Sequence, residues 1–271
     1  MNDLYSVPLS GGDAVRLTAP LEDFRVENYD LKGDSTAVVV HTSKRTTGQN
    51  ELYTIPISGG TPLRLTPLYT ETVESELRGK TRLAFTITGD DSQVIFGTDA
   101  TTVGKSELYS VPTDGGPIVR LSRDYPDPPG FGVGNWGVRS FDVSRDGAYV
   151  VYQNSDEFTE RLHGTRSDGS APIDYTVPLS TAESVDNYLI SKDSSRLIAL
   201  TTDGFEIPGR IYSTPLANDI PVVLTEFSYP QRIDQLTSSN NGQLFYRLRN
   251  TETTTSTILR VPQMVTRHPP C

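Results

Sequence analysis

Catalysis and metal binding need groups that ligate, attack or carry protons, and this chain has few. It holds three histidines and one cysteine in 271 residues. Cys271 is the last residue, so it forms no disulfide within the chain. His41, His163 and His268 belong to different stretches and share no spacing. A metal or acid–base centre needs clustered His, Cys, Asp or Glu. The expectation is therefore no transition metal and no covalent nucleophile. No Gly-x-Ser-x-Gly elbow is present. Gly130-Phe131-Gly132-Val133-Gly134 lacks the preceding strand and following helix of a phosphate-binding loop.

Three sets of residues remain. Asp34, Asp90, Asp146, Asp193 and Asn240 recur in one column and read as turn residues, because such side chains bond their own backbone. Tyr125, Phe131 and the only tryptophan, Trp136, lie in a long loop, Arg123 to Gly137. Long loops on rigid scaffolds carry binding functions, and exposed aromatics anchor interfaces. Glu27, Asn28, Arg139, Asp186, Asn187 and Asp234 fall near the starts of predicted strands. Together they form a polar, mainly acidic group suited to water or a cation such as Ca²⁺.

The elements that position them repeat. Leu4-Tyr5-Ser6-Val7-Pro8-Leu9-Ser10-Gly11-Gly12 returns at residues 52–60 and 108–116, with a worn copy at 211–216. Each repeat reads as four strands, A to D. Strand A alternates, as in Val138 to Val143. A tight turn such as Arg145-Asp146-Gly147 leads to strand B, which is apolar throughout and hence covered on both faces. Strand C is the Leu-Tyr-Ser-Val-Pro element and ends at its proline, which cannot donate to a ladder. A Gly-Gly hairpin leads to strand D. There Arg16, Arg64 and Arg120 are expected to face water on an outer edge.

Repeats of this length built from short strands predict an all-β fold, a β-propeller of four-stranded antiparallel blades. About five to six blades are expected. Blades span roughly 24–66, 77–122, 138–177 and 184–225, with a half-blade at 1–18, a partial blade at 232–262 and a tail at 263–271. All belong to a single domain. The ring is either incomplete or closed by the N-terminal half-blade, whose strands cannot bury their faces alone.

Ser144-Arg145-Asp146-Gly147, Glu107-Leu108-Tyr109 and Arg120-Leu121-Ser122 resemble the repeat of TolB-like β-propellers, related in style to WD-repeat propellers. The resemblance covers nearly the whole chain. It implies a periplasmic or extracellular scaffold that binds another protein or an envelope component. Similar repeats occur in propeller domains of prolyl-oligopeptidase-like enzymes and in metal-binding sugar lyases.

Net charge is −10, which disfavours nucleic acid. No apolar run is long enough to span a bilayer, and Met1-Asn2-Asp3 leads straight into repeat sequence, so no signal peptide is expected. The leading expectation is a non-catalytic, protein-binding propeller without a cofactor. It would bind through Tyr125, Phe131 and Trp136, and self-associate through half-blade edges. The alternative is the propeller portion of a larger enzyme, with its site at the channel mouth. A third reading is a structural unit of a larger assembly.

Overall fold

The computed structural model describes residues 3–46, 50–66, 85–98, 105–124, 136–155, 160–175, 184–202, 209–218 and 220–261. Every regular element among the described residues is a strand; none is a helix. Contacts between residues divide the chain into two compact units, 1–150 with 165–171, and 151–164 with 172–271.

Unit one begins with a two-stranded hairpin, β1 (Tyr5–Ser6) and β2 (Val15–Arg16). An antiparallel sheet follows in sequence order: β3 (Phe24–Leu31), β4 (Ala37–Lys44), β5 (Asn50–Pro56) and β6 (Leu63–Arg64). The next sheet is β7 (Phe85–Ile87), β8 (Gln93–Thr98), β9 (Lys105–Pro112) and β10 (Val119–Arg120). Then come β11 (Trp136–Val143), β12 (Tyr149–Ser155), β13 (Glu160–Arg166) and β14 (Ile173–Asp174), and the unit boundary runs through β12 and β13. Unit two continues with β15 (Ser184–Ile190), β16 (Arg196–Thr202), β17 (Gly209–Pro215) and β18 (Val222–Phe227) in one sheet. The sheet of β19 (Gln231–Ser238), β20 (Leu244–Asn250) and β21 (Ser256–Val261) has three strands.

Sequence predicts separate blades, but the second and third sheets are joined. β11 pairs parallel to β9 through Trp136↔Lys105 and Gly137↔Ser106. The join depends on Gly137. Its φ is +100°, and a Cβ there would lie 2.2 Å from the Ser106 carbonyl oxygen.

The core follows from the strand B composition. Val39, Val40, Val94, Ile95, Val150 and Val151 are inaccessible to solvent. In unit one, Val39 and Leu52 of the first sheet pack with Val94, Phe96 and Val111 of the second. In unit two, Ile198, Leu200 and Ile211 pack with Ile233 and Leu244. Pro56, Pro112 and Pro215 each end a strand C, as expected from the missing N–H.

The turns between strands A and B share one design. Ser144 Oγ donates to Asp146 Oδ1 at 2.6 Å, and the Ala148 amide donates to the same oxygen at 3.0 Å. Thr88, Asp90 and Ser92 repeat this, as do Ser191, Asp193 and Ser195. In the last sheet the corresponding residue is Asn241, not Asn240: Ser239 Oγ bonds Asn241 Oδ1. That turn closes one residue sooner, with the Ser239 amide bonded to Gln243, whereas Ser191 reaches Arg196. The following residue is left-handed in every case. It is Gly147 and Gly242 in two turns but Ser35, Asp91 and Ser194 in the others, at φ 58°, 60° and 57°. In unit one two of these turns meet. Asp91 accepts from the Gly33 and Asp34 amides at 2.7 and 2.8 Å.

Candidate functional site

The best-built polar frame lies at the two ends of the Arg123–Gly137 loop. Asp124 marks its start, and Trp136 begins β11 at its end, paired with Lys105. Lys105 Nζ donates to Asp124 Oδ1 at 3.1 Å. Arg120 Nη2 reaches the same oxygen at 3.3 Å, the Arg123 carbonyl at 3.1 Å and Glu107 Oε1 at 2.7 Å. Tyr109 OH donates to Glu107 Oε2 at 2.7 Å. Lys105 and Glu107 are buried. Hydrogen bonds from Lys105 and then Arg120 hold the Asp124 carboxyl below the usual carboxylate range. The frame ties β9, β10 and both loop ends to one another.

Of the strand D arginines, Arg64 and Arg120 are exposed as expected. Arg120 is in addition paired with Glu107, and the half-buried Arg16 with Asp3 at 2.9 Å. A sequence signal for the pairing exists. An acid two residues before the strand C tyrosine stands thirteen residues before the arginine in Asp3/Arg16, Glu51/Arg64 and Glu107/Arg120. The fourth sheet reverses the charges, with Arg210 Nε donating to Glu226 Oε1 at 2.9 Å. Tyr125 and Phe131 lie outside the described residues, as does the side chain of Trp136.

The polar residues near the strand A starts occupy a shared geometry. Register shifts interrupt the pairing between Val26 and Asn28, Val185 and Asn187, and Ile233 and Gln235. Glu27, Asp186 and Asp234 are therefore the extra residues of three β-bulges. Each is held by a donor. Ser43 Oγ and Arg25 bond Glu27, and Thr202 Oγ1 bonds Asp186 at 2.8 Å. Arg247 grips Asp234 with two bonds of 2.7 Å. The Ser43 hydroxyl and then Arg25 lower the Glu27 carboxyl, and Arg247 lowers that of Asp234. Asn28 turns its Oδ1 to the Tyr29 amide, and Arg139 is exposed on β11. Glu27, Asn28 and Arg139 belong to unit one, whereas Asp186 and Asp234 belong to unit two. Among the described residues, no group of three or more His, Cys, Asp or Glu is placed to hold a metal ion.

The histidines are packed apart. His41 is buried with Nε2 at 3.0 Å from Asn50 Oδ1. Burial pushes its imidazole below the ordinary range, against the opposing pull of Asn50 and Glu27. His163 is buried beside the Tyr152 ring, with centroids 5.6 Å apart. His268 and Cys271 lie outside the described residues. No helix among the described residues is long and apolar enough to cross a membrane.

Neither a protein-family model nor a curated protein matches the sequence. Solved structures do match. A prolyl endopeptidase is 14% identical with a TM-score of 0.59, covering 96% of this chain and 38% of its own. Prolyl oligopeptidase B from Galerina marginata is 14% identical with a TM-score of 0.55, covering 93% of this chain and 36% of its own. The putative TolB from Agrobacterium tumefaciens is 16% identical over 83% of this chain and 74% of its own, with a TM-score of 0.43. This chain thus spans little more than a third of the two peptidases. At these identities the likeness to the peptidases shows the fold alone: all-β, of several antiparallel sheets, and propeller-like.

Proposed function

We propose that this chain is a non-catalytic propeller that binds another protein through the Arg123–Gly137 loop. Tyr125, Phe131 and Trp136 act as its contact residues. The observation that supports this reading is the frame of Lys105, Glu107, Arg120 and Asp124 beneath the loop ends. Fixing both ends of a loop lowers the entropy it loses on binding a partner. Such an investment of buried charge suits a displayed contact segment. A periplasmic or extracellular setting belongs to the same reading.

The test uses the immobilised chain and an extract of its source cells. A protein retained by wild type should be lost when Tyr125, Phe131 and Trp136 are all changed to Ala. Against that purified protein, Trp136→Ala alone should weaken binding about 30-fold, an anchor's cost of about 2 kcal/mol. Equal retention by wild type and the triple variant would refute the reading.

A second reading is the propeller portion of a larger enzyme. The observation favouring it is the match to just over a third of two peptidase chains. A catalytic domain encoded beside this segment, with peptide hydrolysis by the full product, would establish it.

A further inference from the structure

Three times, this chain seats the hairpin between strands C and D on strand D of the preceding sheet. A Cβ built on Gly59 would lie 2.9 Å from Val15 Cγ1, one on Gly115 3.3 Å from Leu63 Cδ2, and one on Gly169 2.5 Å from Val119 Cγ1. The three glycines have φ of +84°, +83° and +82°. The seat is thus an apolar strand D side chain fitted into the space of a missing Cβ. In the first of the two seats formed by full sheets, Thr54 Oγ1 also donates to the Thr113 carbonyl at 2.8 Å.

Among the described residues, one hairpin and one seat are unmatched. Pro8-Leu9-Ser10-Gly11-Gly12 has the seated conformation, with Gly11 at φ +88°, yet no atom lies within 4 Å of a Cβ built there. Leu9 is fully exposed. The unmatched seat is Val222 on β18, which holds the strand D position of Val15, Leu63 and Val119. It borders a cleft of about 320 Å³ lined by Ser213, Leu224, Leu244 and Val261. Ser213 follows Tyr212 as Thr54 follows Tyr53, so its hydroxyl stands where Thr54 stands in the filled seat. Ser213 Oγ accepts from Arg196 Nε at 2.5 Å, which leaves its own hydrogen for a carbonyl. The carbonyl corresponding to Thr113 is that of Leu9. Where Lys32 faces Asp114 at 3.8 Å in the filled seat, the matching residues are Ser191 and Ser10, which oppose no charge.

We propose that two copies of this chain associate head to tail, the Pro8–Gly12 hairpin of one seated on Val222 of the next. The contact continues an interface the chain already uses internally. Hairpin and seat are different surfaces, so the association is heterologous and yields rings or growing chains, not a two-fold dimer alone.

The experiment uses the full chain. Sedimentation equilibrium should show average mass rising with concentration, and Val222→Glu should weaken association at least tenfold with unchanged circular dichroism. In a Cys271→Ser background, Gly11→Cys and Val222→Cys place thiols where a Cβ built on the glycine of a filled seat would lie 2.5 to 3.3 Å from the facing side chain, within reach of a disulfide. Oxidation should give dimers and higher species, and mixing the two single variants should give a mixed dimer. A monomer at every concentration, oligomers indifferent to Val222→Glu, or crosslinks confined to single chains would overturn the proposal. The Val222→Glu comparison leaves Gly11, where a side chain would be strained, untouched and decides the case if the cysteine variant misfolds.

Discussion

Changing Gly137 to Ala should be among the most damaging single-methyl substitutions in this chain. Two costs combine. The backbone sits at φ +100°, where an L side chain is strained by about 1–3 kcal/mol. The new Cβ would also lie 2.2 Å from the Ser106 carbonyl oxygen, far inside any tolerated contact. Backbone cannot swing aside as a flexible side chain does, so β11 must separate from β9. That forfeits the Trp136↔Lys105 and Gly137↔Ser106 pairing, about 2 kcal/mol at roughly 1 kcal/mol net per hydrogen bond. The total is about 3–5 kcal/mol, against a typical stability of about 5–15 kcal/mol. Gly60→Ala is the control. Its φ is +132°, but no atom lies within 4 Å of its Cβ position, so only the backbone cost applies. Urea unfolding followed by emission of the single tryptophan and by circular dichroism should separate the two variants by about 2 kcal/mol. At a slope of about 2 kcal/mol/M that is about 1 M in midpoint. If Gly137→Ala is no more damaging than Gly60→Ala, the close approach of β11 to β9 is not as described.

Arg120→Met removes the guanidinium from Glu107, which is buried. Because the arginine is itself about one-third exposed, solvent screening holds the expected loss to about 1–3 kcal/mol. Adding Glu107→Gln should recover part of it in the same urea assay. His41 is held neutral by burial. Its folded pKa lies below the unfolded value, so its contribution is complete above about pH 6.5 and is lost as pH falls through the folded value. Urea midpoints should therefore decline below that pH, by no more than about 1.4 kcal/mol per unit from this group, and His41→Gln should flatten the decline. Ser194→Gly relieves a left-handed serine at φ 57° and should add about 1 kcal/mol, read as a melting temperature raised by about 2–4 °C. No increase would mean that the turn imposes no strain there.

The alternation of Val138 to Val143, the apolar strand B runs and the prolines closing strand C were all readable, because each is a local rule with a fixed period. What resisted reading depends on non-local geometry. Asn240 was the expected turn residue because neighbouring columns suggested a constant spacing to strand C. The structure shortens the turn instead, and Asn241 takes the role. Arg64 and Arg120 read as solvent-facing and are exposed, but alternation alone does not show that Arg120 also reaches Glu107 across β9 and β10. The parallel join of β11 to β9 has no local signal except Gly137, whose need for positive φ is visible only once its neighbour is known.

The bulges clarify what the strand A acids can do. Correcting the last turn to Asn241 brings Glu27, Asp186 and Asp234 to one position, seven residues before Asp34, Asp193 and Asn241. Each acid is the unpaired residue of a bulge, so its side chain is re-aimed by the backbone. Each has also recruited a donor: a hydroxyl at Asp186, a hydroxyl together with Arg25 at Glu27, and a bidentate guanidinium at Asp234. Such bonds fix the direction of the carboxylate. A cation arriving at Asp234 would have to displace Arg247 from both oxygens, whereas one at Asp186 would compete with a single neutral hydroxyl. Among the three, Asp186 is the bulge acid whose charge is least compensated by its bonded partner. Within unit two, a cation drawn to a bulge acid should therefore depend on Asp186 more than on Asp234.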